Sequence, residues 1–502
     1  MSEHEAARLR ARIETFLIAD PQREVSEDGE FLFHLATTRF RLEESRGKLL
    51  LHLWSPERNW VRRVAGITRE SSERLVLEVE RFGRAKPGRL VVARARAGRP
   101  GLAPGRAAAR RAYSGWLRRL LERECPGARL EGVSTAADLK RSFSGLYTRA
   151  RLRLGEQWWG AVGMNAGESA AAADGLLSHA LLWFDWNRRR YPERAWAGLK
   201  LFLPAGRTQT TSSRLACLAA GRLRVELYAT DEEEFACRRV DERDCGNLDA
   251  RLAPARHADE VRAAESSAVE RIRALAPDEI EEVVPAGGRE LSLRVRGLEF
   301  ARSAGGQVSY GVGPRQRVLT RESLNELEAL IERLRRERAP GGSAKSPFYR
   351  LQPERWLESL VRRHPEAIDP RLVAERLYRQ VPALAAGERS VADLLGATRD
   401  GQLVVIELKA SADLHLPVQG LDYWLRVRWH QERGELARFG YFSGLNLKPA
   451  PPELLLVAPA LQFHPTTESI VEYLAPEVRV TLVGLNEDWR RSLRVVFRRG
   501  RG

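Results

Sequence analysis

Cysteine is scarce: Cys125, Cys217, Cys237 and Cys245 are the only four in 502 residues, with no Cys-x-x-Cys pair and no His-x-x-x-His nearby. A structural zinc site is not expected, and scattered thiols suit a reducing compartment. Long apolar runs are also missing, and the opening Met-Ser-Glu-His-Glu-Ala-Ala-Arg is charged where a secretory signal needs an apolar stretch. The expectation is a cytoplasmic protein without a membrane span. No Gly-rich loop closed by Lys-Ser/Thr follows a strand-like run, so nothing indicates a P-loop nucleotide hydrolase. Acid is in deficit: 83 Lys and Arg stand against 67 Asp and Glu, a net charge of +16. An excess of this size suits a polyanion such as nucleic acid, although an arginine-rich coding bias contributes to it.

A chain of 502 residues, 43% hydrophobic and 30% charged, can bury a large core in about three domains. Residues 1–105 read as β-rich after a helix at 5–17, with strands at 31–40, 48–54, 75–82 and 89–93. Within it, Trp54-Ser-Pro-Glu-Arg58-Asn59-Trp60-Val61-Arg62-Arg63 reads as a loop interleaving aromatic and basic residues. Its tryptophans suit a small β core, whereas Arg58, Arg62 and Arg63 are candidates for nucleic-acid contact. A Pro/Gly-rich stretch at 97–106 precedes a helix bearing Arg110, Arg111, Arg118, Arg119 and Arg123, which could follow a phosphate backbone or simply be solvated.

Residues 106–337 alternate strands (148–154, 158–164, 197–203, 223–229, 291–295, 308–312) with helices (168–190, 255–276, 321–338), an α/β pattern of unassigned role. Glu168, Asp185 and Lys200 faintly suggest a carboxylate-and-lysine site, with poor spacing. Residues 338–350, which open with Arg-Ala-Pro-Gly-Gly-Ser-Ala-Lys-Ser-Pro, read as a linker.

Residues 351–502 carry the chemistry. Two apolar runs flank Asp400-Gly401, a strong hairpin signal, so the strands 389–397 and 402–410 should be neighbours. Period-two alternation in Val404-Val405-Ile406-Glu407-Leu408-Lys409 puts Glu407 and Lys409 on one face and Ile406 and Leu408 on the other. Charges interrupting a buried strand need compensation, and Asp393 on the adjoining strand supplies a second carboxylate. Two carboxylates suit a hard cation, Mg²⁺ or Mn²⁺, and the implied reaction is metal-assisted phosphodiester hydrolysis with Lys409 serving the nucleophile or the transition state.

Asp393, then Glu407-Leu408-Lys409 fourteen residues on, resembles the PD-(D/E)xK nuclease superfamily, with Ala392 in place of the usual proline. The amphipathic helix 353–363, ending before Pro365, is similar to the first helix of the NucS-type endonucleases, and Gln419-Gly-Leu-Asp-Tyr423 resembles the Gln-x-x-x-Tyr motif of the RecB-like branch. The resemblance covers about residues 351–490. It implies an α/β architecture with a restriction-endonuclease-like αβββαβ core on a mixed sheet. It also implies Glu354, with Glu358 as alternative, as a third metal ligand, and Gln419 and Tyr423 as orienting residues. Helix 416–436 would set Arg426 and His430 on the face of Gln419 and Tyr423. Arg426 is then a candidate phosphate contact and His430 a surface residue, while His464 is structural or lines the cleft. The expected function is a DNA endonuclease of repair or defence acting on single-stranded, branched or mismatched DNA. A non-cleaving nucleic-acid-binding fold and an RNA-directed nuclease are the alternatives. The oligomeric state is left open, a dimer included.

Overall fold

A computed structural model describes residues 3–20, 23–27, 30–35, 38–45, 48–54, 59–80, 88–94, 106–241, 251–252, 254–255, 267–284, 290–313, 316–379, 383–384 and 394–501. It is a mixed α/β, multidomain chain that divides into two compact units, Met1–Ala250 with Leu384–Arg389 and Tyr473–Ala475, and Arg251–Ala383 with Ser390–Glu472 and Pro476–Gly502. Among the described residues no helix is long and apolar enough to cross a membrane.

The first unit opens with helix Glu3–Ala19 and a seven-stranded antiparallel sheet, in the order 30–34, 23–27, 88–94, 74–80, 59–70, 48–54, 39–45. Alternate leucines and valines, among them Leu49, Leu51, Leu53, Leu75, Leu77 and Val79, turn inward, and Ile13, Phe16 and Leu17 of the helix join their core. Residues 59–63, expected in a loop, begin the twelve-residue strand Asn59–Glu70. Period two there puts Trp60 and Arg62 together on the buried face and Arg63 on the other. The expected strand 31–40 is instead two strands, Glu30–His34 and Arg39–Ser45.

This unit also holds helix Arg106–Glu124 and a six-stranded sheet whose order follows the chain: 129–134, 148–154, 157–163, 195–204, 224–231, 236–239. The third, fourth and fifth strands run parallel, and every other pair is antiparallel. Helix Ala170–Arg190, capped at its start by the Ser169 side chain, crosses from the third strand to the fourth.

The second unit holds a five-stranded antiparallel sheet (280–283, 290–295, 298–304, 307–310, 317–318) packed on helices Ser267–Ala274 and Leu324–Glu337. It also holds a six-stranded sheet in the order 372–379, 394–398, 403–408, 453–459, 479–485, 495–500. Here too the third, fourth and fifth strands are parallel and the outer pairs antiparallel. Residues 338–350, expected as a linker, are anchored. Arg338 is fully buried and donates to the carbonyls of Arg296, Phe348, Leu351 and Gln352 at 2.5–3.1 Å. Ser346 Oγ donates to Glu337 at 2.7 Å, and Pro347–Arg350 is a helical turn. Proline and glycine here make turns over a buried cation, which composition cannot distinguish from a tether.

Candidate active site

The hairpin forms where Asp400-Gly401 places it. Leu394–Thr398 pairs with Leu403–Leu408 in antiparallel register, Leu394 opposite Ile406 and Ala397 opposite Leu403. Gly401 turns at φ +86°, and a Cβ there would lie 2.1 Å from the Asn446 carbonyl oxygen, so only glycine fits. Thr398 and Lys448 both bond Asp400, and those contacts hold its carboxyl down to about 2.

Alternation along Leu403–Leu408 separates two faces. Val404, Ile406 and Leu408 join Trp356, Leu357 and Val361 of helix Pro353–Arg363 in one core. Glu407 points to the other face, as does Leu456, its partner on the parallel strand, and Leu456 lies against Gly420 of helix Leu416–Glu432. Glu407 is buried, 5% exposed, with Lys409 Nζ 3.7 Å from its Oε1. Lys409 Nζ also lies 3.5 Å from Asp413 Oδ2, and its backbone N–H donates to Val457 O at 2.9 Å. Asp413 in turn accepts from the His415 N–H at 2.7 Å, at the start of the helix. His464 stands close enough to Asp413 for that carboxylate to favour its protonated form, although burial dominates and lowers its proton affinity. The cluster therefore sits at the carboxyl ends of two parallel strands, where open α/β sheets present ligands.

Asp393 lies outside the described residues, one position before Leu394 in the chain. Gln419 and Tyr423 are on the helix that covers the Glu407 face; Tyr423 is buried, and Gln419 Oε1 is a buried acceptor with no hydrogen-bond partner. Glu354 is half-buried on the helix across the sheet, where its charge is felt by Arg490, and no described contact joins it to Glu407 or Lys409. Its alternative Glu358 is 1% exposed and held by Arg355 at 2.8 Å and Arg379 at 2.7 Å, which makes it the anion of a structural network rather than a free ligand. Among the described residues no three metal-ligating side chains converge. The donors present at the site, Glu407 and Asp413, are all oxygen, the type a hard cation takes.

The proposed nucleic-acid contacts are redistributed. Arg62 is buried and paired with Glu27 at 3.2 Å, and Trp60 Nε1 donates to the same carboxylate at 2.9 Å, so Arg62 is spent inside the sheet. Arg63, on the opposite face, is half-buried and pairs with Glu80 at 2.9 Å. Arg58 lies outside the described residues. Arg426 is buried at 5% exposure, and His430, expected at the surface, is 1% exposed with Nδ1 2.6 Å from Glu435. Both face inward because this helix is buried along most of its length, which a 3.6-residue period with few charges understates. Glu168, Asp185 and Lys200 do not converge: Glu168 binds Arg110 at 2.6 Å, Asp185 binds Arg189 at 2.9 Å, and Lys200 pairs with Glu226 opposite it on the next strand.

No sequence motif includes Asp413. Its one signal is its place four residues after Lys409 in the strand-to-helix loop. No protein-family model, curated protein or solved structure matches this chain.

Proposed function

We propose that the C-terminal domain is a metal-dependent endonuclease that hydrolyses phosphodiester bonds of DNA, built on a restriction-endonuclease-like core of the PD-(D/E)xK type. The observation that carries this reading is the buried Glu407 beside Lys409 at the end of a strand whose other residues are all apolar and buried. A buried ion pair of this kind is a poor way to gain stability, and a reaction that uses both charges accounts for it. The hairpin register supports the second carboxylate, since Leu394 opposes Ile406 and Asp393 precedes Leu394 in the chain.

Glu407 and Asp393 would hold Mg²⁺ or Mn²⁺; the reading does not depend on Glu354. When bound, the cation supplies Lewis acidity toward the scissile phosphate. Lys409 presents a positive charge to the negative charge that develops in the transition state. Asp413 also lies 3.5 Å from that ammonium, and Gln419 Oε1 offers an unused acceptor on the covering helix.

The test is cleavage of single-stranded, flapped, mismatched and intact duplex DNA, with RNA as competitor, in Mg²⁺, Mn²⁺ or EDTA. Wild type should give metal-dependent products. Lys409→Ala should lose cleavage by at least about a hundredfold while binding stays within about tenfold, because the lysine acts on the transition state. Binding with no product under any metal would establish instead a nuclease-like fold kept for holding nucleic acid.

A further inference from the structure

The two six-stranded sheets share one topology. Each follows a leading helix, Arg106–Glu124 or Pro353–Arg363, with strand order equal to chain order and the same sequence of antiparallel and parallel pairings. Each has a long helix between the third and fourth strands, Ala170–Arg190 or Leu416–Glu432, and a short one between the fourth and fifth, Gln209–Leu215 or Thr467–Val471. Both fourth strands end in proline, Pro204 and Pro459. The register matches residue by residue. Met164 N–H donates to Phe202 O as Lys409 N–H donates to Val457 O, and Val162 opposes Leu201 as Glu407 opposes Leu456. Ala150 opposes Ala161 as Leu394 opposes Ile406. The counterparts of Glu407 and Lys409 are thus Val162 and Met164, and Arg149 precedes the counterpart of Leu394 in the chain as Asp393 precedes Leu394. Where one copy concentrates acid, the other carries a cation and two apolar residues.

That exchange opens onto a groove of about 680 Å³ in the first unit, lined by Arg149, Arg151, Lys140 and Arg141 against the single acid Asp138. Arg141 pairs with Asp138, but neither Arg149 nor Arg151 is ion-paired to a described carboxylate. Arg149 is 7% exposed and donates to the carbonyls of Ser144 and Ala136, which fixes its direction without cancelling its charge. Arg151 Nε is buried with no hydrogen-bond partner, and Gly132 leaves the space its guanidinium occupies, since a Cβ there would be 2.7 Å from Nη2. Partly exposed Trp186 lines the same groove, with Phe143 edge-on to it at 5.7 Å and Arg141 over its ring.

We propose that this groove binds single-stranded nucleic acid without a metal, phosphates on Arg149, Arg151, Lys140 and Arg141 and an unpaired base against Trp186. Guanidiniums such as those of Arg149 and Arg151, without an ion-pair partner and beside an aromatic ring, are what a phosphate followed by a base requires, and a paired duplex base has no free face to stack. The inference stands apart from cleavage, because the converted copy lacks the acids that a cation needs.

The test is fluorescence anisotropy of a labelled oligothymidylate with the full chain in EDTA. Binding should persist in EDTA and in Lys409→Ala. It should weaken by about tenfold or more in the double variant Lys140→Glu/Arg141→Glu, in Arg151→Gln and in Trp186→Ala, each with a wild-type circular dichroism spectrum. The Lys140 and Arg141 side chains are solvent-facing, so that variant remains informative if Arg151→Gln does not fold. Affinity within twofold of wild type in the folded variants, tighter binding of duplex than of single strand, or equal affinity for thymidine monophosphate and the oligomer would each overturn the proposal.

Discussion

A carboxylate that is 5% exposed on a strand of otherwise buried apolar residues costs stability unless its charge is used. For Glu407 the expected consequence is a trade: Glu407→Gln keeps the shape, removes the charge, and should abolish cleavage without lowering the unfolding temperature. A lower melting temperature with cleavage intact would make Glu407 a structural residue. His430 gives a second prediction at this scale. Burial lowers its proton affinity and the Glu435 contact only partly offsets that, so the unfolded chain takes up a proton near pH 6.5 before the folded one does. Stability contributed by neutral His430 is therefore present above that pH and lost as pH falls below it; His464 has the same sign. Urea midpoints should fall between about pH 7.5 and 5.5, and His430→Gln should flatten the slope. An unchanged slope would assign the titration elsewhere.

Among the elements, the Thr398–Gln402 turn sets which residues of the two hairpin strands face each other. A one-residue slip would turn Glu407 and Lys409 into the apolar core. Gly401→Ala meets both a positive φ and the Asn446 carbonyl, so it should cost about 2 kcal/mol or more by thermal unfolding. The Asn59–Glu70 strand allows a sharper comparison. Removing Glu27 strands a buried Arg62, a loss of about 3 kcal/mol or more, whereas Arg63→Ala breaks an exposed pair and should cost less than about 1 kcal/mol. Equal effects of the two substitutions would contradict the burial of Arg62. The helix Pro353–Arg363 is fixed in the same way: Glu358 joins Arg355 and Arg379, while Ser359 and Arg379 both reach Glu281. This network explains why its glutamate is committed to structure.

For the whole molecule, an excess of +16 would act on a bound nucleic acid through counterion release. Four basic side chains in the N-terminal groove predict that the logarithm of single-strand affinity falls against log salt with a slope of about −3, and of about −1.5 in Lys140→Glu/Arg141→Glu. A slope that does not change in the double variant would place the phosphate contacts outside the groove.

Local rules settled the hairpin, the faces of Glu407 and Lys409, the helices that flank them and most strands of the C-terminal sheet, because turn chemistry and side-chain period act over a few residues. The middle strands were legible for the same reason. Burial was not. Arg62 and Arg426 look like any surface arginine in the sequence, and only the Glu27 carboxylate from another strand of the same sheet, or the burial of the helix that carries Arg426, turns them inward. Arg338 sits in a stretch whose composition reads as a tether, yet the carbonyls of Phe348, Leu351 and Gln352 just beyond it and of Arg296 far before it close around it. The correspondence of Val162 and Met164 with Glu407 and Lys409 has no trace in local pattern, since strand order and register are set by contacts between residues far apart in the chain. The sequence by itself determined which residues could do chemistry; the tertiary structure decided which of them face one another, because pairing and burial are properties of the assembled sheet.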